Sequence, residues 1–463
     1  MDVLLVQPVK NKNHTINLTP PLGLGYLASS IRKQHNVRIL DCVKEGLDLD
    51  SFRDYVQKNP TDVIGFNVYS CDIENVKKSI EIVNEINPDI ITLAGGPHPS
   101  GDPEETMLYL DSLSFAFAGE SEKGLPLLLE QLSKKAEKKE FKNIPGLVWK
   151  ENGKININPK IFVENLDSIE FPSWDLIKLS TYRGGAHGIF TKQFPTAPII
   201  VTRGCPYLCT FCSAHNIVGR KIRHRSIENV IEEIKLLYQK YGIREIHIED
   251  DNFTFNIEFA KEFCRKLINL NLPLTYSCPN GVRLDRIDIE LLQLMKKAGF
   301  YNIYVGIESG SQRILELMKK NLKIEEITKK IKLIKEAGLE VSGYFILGYP
   351  EETREDMEKT IGFSKSLNID WAQFGAFMPI PGSDILKNEE VKKAVANINW
   401  SDFFNTDVPF SPAGITRKEL KKIQKKAFLT FYMRPRQIIN LIKRARINDI
   451  AFILRRITSH IFK

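Results

Sequence analysis

The sequence lacks any unbroken apolar run approaching the ~20 residues that a membrane-spanning helix requires, so no spanning helix is expected. Its opening stretch, MDVLLVQPVK, is too short an apolar run for a secretory leader and is broken by Pro8, with no basic start and no small-residue cleavage site. Cysteine is scarce and unevenly placed: there are seven, an odd number, and three of them fall within eight residues. That arithmetic argues against a disulfide framework and for a reducing, cytoplasmic compartment with a metal site. Charge of one sign does not dominate either. The net +8 comes mostly from lysines on helical stretches such as IRKQ and KKIKLIKEAG, which read as solvated helix faces rather than a nucleic-acid groove. No unit of about 20 to 50 residues recurs, so a solenoid is not expected.

What remains is an ordinary globular composition, 43% hydrophobic and 26% charged over 463 residues. Single cores rarely grow past ~250 to 300 residues, so the chain should divide. Residues 1–135 alternate apolar strands with amphipathic helices (VLLVQP, VRILD, DVIGFNVYS, DIITLAGG, LSFAFAGE), the rhythm of a five-stranded parallel sheet with helices on both faces. Ligands of such sheets sit beyond the carboxyl ends of the strands, which directs attention to NVYSCD, GGPHPSGDPEE and GESEKG. Residues 136–195 read as a linker carrying a hairpin that turns at Asn152-Gly153. Residues 196–395 resume strand and helix in six units, the pattern of a partial (β/α)6 barrel with its chemistry at the strand ends. Residues 396–463 are expected to be helical.

The segment VTRGCPYLCTFCSAHN places Cys205, Cys209 and Cys212 in a C-x3-C-x2-C spacing, on a loop that leaves a strand and enters a helix. A structural zinc site wants four ligands, and no second CxxC pair completes one here. A 4Fe-4S cluster also normally takes four cysteines, so three would leave one iron open to a cofactor or substrate. The competing reading is three buried or zinc-bound thiols. Cys42, Cys71, Cys264 and Cys278 have no partners at ligand spacing and are taken as small core residues.

This spacing resembles the signature of the radical S-adenosylmethionine (SAM) superfamily, and the resemblance extends along the chain. It implies that the amino and carboxylate groups of SAM chelate the open iron and that an electron cleaves the sulfonium to a 5'-deoxyadenosyl radical. Phe211 matches the position beside the adenine. Glu249, Asp250 and Asp251 match the acidic group that grips the methionine ammonium, and Asn280 and Arg283 the group at its carboxylate. Glu308 and Ser309 match the ribose position, and Gly348 and Tyr349 the second adenine position. The bland alternatives are turns for the glycines and helix caps for the acids.

The amino-terminal part resembles the flavodoxin-like (Rossmann-type) cobalamin-binding domain of cobalamin-dependent radical SAM enzymes. The matching residues are Gln7, Pro8, Asn67 to Ser70, Gly95, Gly96, Pro97, His98, Gly119 and Glu120. The branch it is most similar to contains the anaerobic magnesium-protoporphyrin cyclase, hopanoid-modifying enzymes and phosphinate methylases. The D-x-H-x-x-G motif that supplies a lower histidine ligand to cobalt elsewhere is absent, so cobalamin is expected to bind without a protein histidine below it. His98 is read as a loop contact or a plain surface residue. GxGxxG does not follow the first strand, which disfavours a dinucleotide site, the alternative for this domain.

The resemblance implies a cobalamin-dependent methyltransferase acting on an unactivated carbon, with an external one-electron donor such as ferredoxin or flavodoxin. A radical cyclase or oxidising enzyme on a lipid, isoprenoid or tetrapyrrole is the alternative within the class. A cobalamin- and cluster-binding sensor is the alternative outside it. From Arg434 to Lys463 basic residues mix with Ile, Leu and Phe at helical spacing. Such a tail lies on an anionic membrane surface or packs its apolar side on the barrel, and both readings stand.

Overall fold

The computed structural model describes residues 1–10, 18–134, 138–182, 191–396, 398–404 and 406–444. Its strands are β1 (Asp2–Gln7), β2 (Asn36–Asp41), β3 (Val63–Asn67), β4 (Ile91–Gly95), β5 (Phe115–Phe117), β6 (Leu147–Glu151), β7 (Lys154–Ile157) and β8 (Thr196–Ile199), followed by β9 (Thr202–Arg203) and β10 (Arg223–His224). Then come β11 (Glu245–Ile248), β12 (Thr275–Val282), β13 (Phe300–Glu308), β14 (Glu340–Leu347) and β15 (Trp371–Ala376).

The first sheet runs β2-β1-β3-β4-β5-β6-β7, parallel through β5. Val3, Leu4, Leu5 and Val6 are all buried because helices cover both faces of this sheet, which is why β1 reads as a continuous apolar run rather than an alternation. Helices 22–31 and 124–133 pack on Val3, Leu5 and Leu93, while helices 49–58 and 73–86 pack on Leu4, Ile64 and Phe66. The first five strands follow the flavodoxin order 2-1-3-4-5. The hairpin turning at Asn152-Gly153 is not free-standing: β6 pairs antiparallel with β5, and β7 with β6, so the segment read as a linker extends the first sheet.

The second sheet is β15-β14-β13-β12-β11-β8, six parallel strands in chain order, with amphipathic helices between them. A short antiparallel ladder, β9 with β10, stands apart at the carboxyl end of β8. An open barrel leaves an edge whose backbone groups need partners. At β15 the helix 417–432 meets that need, with Tyr432 Oη donating to Ala372 O (2.7 Å) and Gln424 Nε2 donating to Phe374 O (2.8 Å). The tail continues as helix Pro435–Arg444, which leaves Ile438, Ile439 and Ile442 exposed, and the expected amphipathic stretch from 445 onward lies outside the described residues. Among the described residues no helix is long and apolar enough to cross a membrane.

The two sheets present their carboxyl-end loops to each other. Helix 97–101, after β4, meets the loop after β15, where Gly101 lies so close to Pro381 that an added Cβ would sit 2.2 Å from its carbonyl oxygen. Lys160 Nζ donates to Ser100 O (2.6 Å) on one side and Asn216 O (3.1 Å) on the other. Glu120, after β5, receives Arg223 in a two-pronged pair at 2.9 and 2.6 Å, and Arg203 stands 3.3 Å from the same carboxylate. Tyr182 Oη donates to Asp41 Oδ2 (2.8 Å) at the end of β2.

Candidate functional site

The loop 204–222 that carries Cys205, Cys209 and Cys212 is closed at its base by the β9–β10 ladder. Gly204 starts it with φ +109°, and a Cβ there would lie 2.1 Å from Lys221 O, so no other residue fits. Cys205 N donates to Gly219 O (3.1 Å) and Thr210 N to Met318 O (3.1 Å). All three thiols are partly exposed and free of disulfides.

Among the described residues no group of three or more His, Cys, Asp or Glu is gathered tightly enough for a single metal ion. A cubane cluster binds each thiolate at a different iron, so it does not ask them to converge on one point. The surroundings fit such a group. Ala214 N donates toward Cys212 Sγ (3.5 Å), and Arg283 Nη1 points at Cys209 Sγ (3.9 Å), the N–H···S contacts that steady clustered thiolates. Burial pushes the Cys212 thiol up to about 12, with Asp251, Cys205 and Cys209 adding to it, and it pushes Cys205 up as well. Bare thiolates are therefore unfavourable here until cationic iron compensates them.

The acidic run after β11 divides its labour. Asp250 is buried, and its two oxygens accept from Val201 N (2.8 Å) and Thr202 N (2.7 Å), with its carboxyl pushed up to about 7 by burial. It ties β11 to the entrance of the cysteine loop and is not presented to a ligand, contrary to the expectation for it. Asp251 does reach solvent, yet the protein packed around it pushes its carboxyl up to about 6 by desolvation, and its charge is felt by Cys205 and Cys212. Asn280 Nδ2 donates to Glu249 O (2.6 Å), holding this loop to the end of β12.

Several other expected contacts are engaged within the protein. Arg283 stacks 3.5 Å over the Tyr207 ring, pairs with Asp285 (2.9 Å) and donates to Lys320 O (2.8 Å), so its fork is not open to a carboxylate. Ser309 is fully buried against Thr360 Oγ1 (3.0 Å) and cannot reach a ribose in this arrangement. Glu308 keeps its place at the end of β13, with φ +64°, but pairs with Lys320 (2.7 Å). Phe211 is partly buried, with the Lys320 ammonium 5.8 Å from its ring. Tyr349 is buried, and its hydroxyl meets Thr210 Oγ1 at 2.7 Å, so it clamps the cysteine loop. Gly348, at φ +78°, backs onto Leu420, which would lie 2.3 Å from an added Cβ.

Sequence reasoning missed Lys320, Tyr207 and Glu352. Tyr207 lay in view inside C-P-Y-L-C and Glu352 inside G-Y-P-E-E, whereas Lys320 belongs to no short motif. Glu352 Oε2 accepts from Gly348 N (2.5 Å) and Tyr349 N (3.0 Å), and burial raises its carboxyl to about 8. A carboxyl raised on folding contributes stability while protonated and loses it as pH climbs from the ordinary carboxylic range to about 8. Glu352→Gln keeps the acceptor without the charge. Chemical denaturation across that window should show the wild type losing more stability than the variant, in which Asp250 and Asp251 still titrate.

On the facing rim, Asn67 Nδ2 donates to Gln7 Oε1 (2.9 Å), joining the ends of β3 and β1. Pro8 follows directly and is buried. Tyr69 is half-exposed yet walled by protein. Its hydroxyl is pushed up to about 12, first by burial and then by Asp72, Cys71 and Glu249, the last belonging to the other unit. Cys71 is partly exposed and packs at the margin of the first core, whereas Cys42, Cys264 and Cys278 are buried.

Gly95 ends β4, and Gly96 adopts φ +107°, with space for a Cβ blocked by Asn67 Oδ1 at 2.5 Å. Pro97 opens the short helix that follows, and Gly119 is held by Ser100 Oγ (3.0 Å). Gly96→Ala should cost about 1 to 3 kcal/mol and displace Asn67, read as a lower denaturation midpoint together with weaker cobalamin retention. His98 is neither a loop contact nor a surface residue. It is fully buried, bonded to Ser70 Oγ (2.9 Å) and Glu105 (2.8 Å), with Trp400 edge-on at 5.0 Å. It is therefore unavailable to cobalt, and among the described residues of this rim no other histidine replaces it. Glu120, bound by two arginines, joins the units and does not face a ligand.

A B12 binding domain model matches residues 14–129 and the Radical SAM superfamily model residues 199–364. An uncharacterized methyltransferase of Pyrococcus horikoshii is 34% identical over 95% of this chain and 94% of its own length. The chain belongs to the B12-binding radical SAM family. Cytidylyl-2-hydroxyethylphosphonate methyltransferase of Streptomyces wedmorensis is 30% identical, covering 83% of this chain and 81% of that one. The anaerobic magnesium-protoporphyrin IX monomethyl ester cyclase of Rubrivivax gelatinosus is 25% identical over 89% and 74%. The fold matches the cobalamin-dependent SAM radical enzyme OxsB at a TM-score of 0.74 and 18% identity, over 99% of this chain and 71% of that one. The family's cofactors are a 4Fe-4S cluster, SAM and cobalamin, and this member is an enzyme.

Proposed function

We propose that this enzyme transfers a methyl group to an unactivated carbon of a small-molecule substrate held between its two units. The observation that carries the reading is the opposition of the rims: the loops after β3, β4 and β5 abut those after β8, β11 and β15. A group bound on one rim lies opposite a group bound on the other, as methyl transfer to a substrate radical requires. When bound, the cluster and SAM supply reductive cleavage of the sulfonium, and cobalamin carries the methyl group.

The chain's own residues bind and orient. Cys205, Cys209 and Cys212 hold the cluster, steadied by the Ala214 amide and Arg283. Asp251, beside the thiols and open to solvent, offers its carboxylate to the methionine ammonium, with Glu249 on the same loop. Phe211 gives an apolar wall for the adenine, and Glu308 has a second carboxylate oxygen for the ribose. Gln7, Asn67, Ser70, Gly95, Gly96 and Gly119 line the cobalamin rim, where the glycines allow close backbone approach.

Relatives named as a cytidylyl-2-hydroxyethylphosphonate methyltransferase and as a magnesium-protoporphyrin IX monomethyl ester cyclase both align with most of this chain, so cyclisation is the competing outcome. Anaerobic reconstitution with a low-potential one-electron donor of the ferredoxin or flavodoxin class separates them. 5'-Deoxyadenosine together with S-adenosylhomocysteine means methyl transfer, the first alone means other radical chemistry, and neither means a binding protein. Exposed Ile438, Ile439 and Ile442 support contact of the tail with the inner membrane surface, and vesicle flotation that is unchanged by removing the tail would exclude it.

A further inference from the structure

We infer that Lys320 and Glu308 form a charge-balanced lever that sets the reduction potential of the cluster, an inference that rests on the cluster assignment to Cys205, Cys209 and Cys212. Both side chains are buried, 9% exposed each, with Lys320 Nζ 2.7 Å from Glu308 Oε1. The pair lies flat over Gly306: an added Cβ there would stand 2.3 Å from Glu308 Oε1 and 2.8 Å from Lys320 Nζ. A glycine two residues before the end of β13 therefore makes the room for the buried ion pair.

The pair is also wired to the cysteine loop. The Lys320 carbonyl accepts from Arg283 Nη2 (2.8 Å), and Nη1 of the same guanidinium reaches Cys209 Sγ (3.9 Å). The ammonium itself lies 5.8 Å from the ring of Phe211, the residue before Cys212, and feels the Cys209 charge. Arg283 has its own counter-ion, Asp285, but that carboxylate is 31% exposed and so is damped by solvent. The Lys320–Glu308 pair is not, and charges so enclosed act over several ångströms with little screening.

The physical consequence has a sign. Reduction adds one electron from the external donor to the cluster, making it more negative, and a nearby cation favours that state while an anion opposes it. Intact, the pair nearly cancels. At an alkaline pH that keeps the lone carboxyl ionised, removing the lysine leaves Glu308 as an uncompensated anion, and removing the glutamate leaves Lys320 as an uncompensated cation.

The test is a potentiometric titration of the reconstituted full-length protein, followed by the electron paramagnetic resonance of the reduced cluster. Lys320→Met should lower the potential and Glu308→Gln should raise it, each by about 59 mV, equivalent to a tenfold change in the one-electron equilibrium. The double variant should return close to the wild type, and Lys320→Arg should stay there. Shifts of the same sign, or none, would overturn the inference, because a packing defect has no reason to reverse sign. Should Lys320→Met not fold, Glu308→Gln and Lys320→Arg decide the matter between them. A wild-type chain that takes up no iron would sink the cluster assignment itself, whereas a cluster of unmoved potential sinks only the lever.

Discussion

Replacing Cys205, Cys209 or Cys212 with alanine should abolish formation of 5'-deoxyadenosine and strip most iron and labile sulfide from anaerobically reconstituted protein. Each thiol sits on a loop whose backbone is already fixed, by the β9–β10 ladder at its base and by Thr210 on Met318 and Tyr349 at its middle. The loop therefore does not need the thiols to keep its shape. Removing one should leave the unliganded fold almost as stable as before, since all three thiols are partly exposed and add little buried packing. Cys264→Ala supplies the contrast. That thiol is fully buried in the second core, so the variant should lose on the order of 1 kcal/mol of stability and keep its cluster. Iron analysis together with denaturant titration separates the two classes. An alanine variant at 205, 209 or 212 that still cleaves SAM would remove the chemical basis of the whole reading.

Glu120→Ala should destabilise the protein by about 3 to 5 kcal/mol, the effect expected when one partner of a buried ion pair is removed and the other is left behind. Its side chain is 4% exposed, Arg223 is 2% exposed and Arg203 is 7% exposed, so neither guanidinium can turn to water without opening the seam. Arg203 retains Glu122 at 2.7 Å. Arg223 retains the carbonyls of Val163 and Val218 and the face of the Phe162 ring at 5.4 Å, none of which carries a full negative charge. The backbone amide of Val163 also loses its acceptor. Because Arg223 belongs to the ladder beneath the cysteine loop and Glu120 to the rim opposite, the variant should weaken cobalamin and cluster retention together. Combined with Arg223→Met, the loss should be well below the sum of the two single variants, since the stranded charge is then gone. A single-variant loss under about 1 kcal/mol would show that the seam is held by packing alone.

The sequence by itself determined the alternation of elements, because apolar runs flanked by amphipathic helices admit a parallel sheet and little else. It also determined the three thiols on one strand-to-helix loop and the absence of a histidine motif for cobalt, since both are matters of spacing along the chain. Tertiary structure decided which polar residues at the strand ends face a ligand and which face the protein. Asp250 and Asp251 are neighbours in sequence, yet one accepts two backbone amides and the other is exposed to solvent. Ser309 and Tyr349 likewise look available until Thr360 and Thr210 arrive from elements some 50 and 139 residues away. His98 appeared to lie on a loop and instead is enclosed by Ser70, Glu105 and Trp400, the last from the far end of the chain. The physical reason is common to all of them: a buried polar atom must find a partner, and that partner is chosen by packing between distant segments, which no local pattern records.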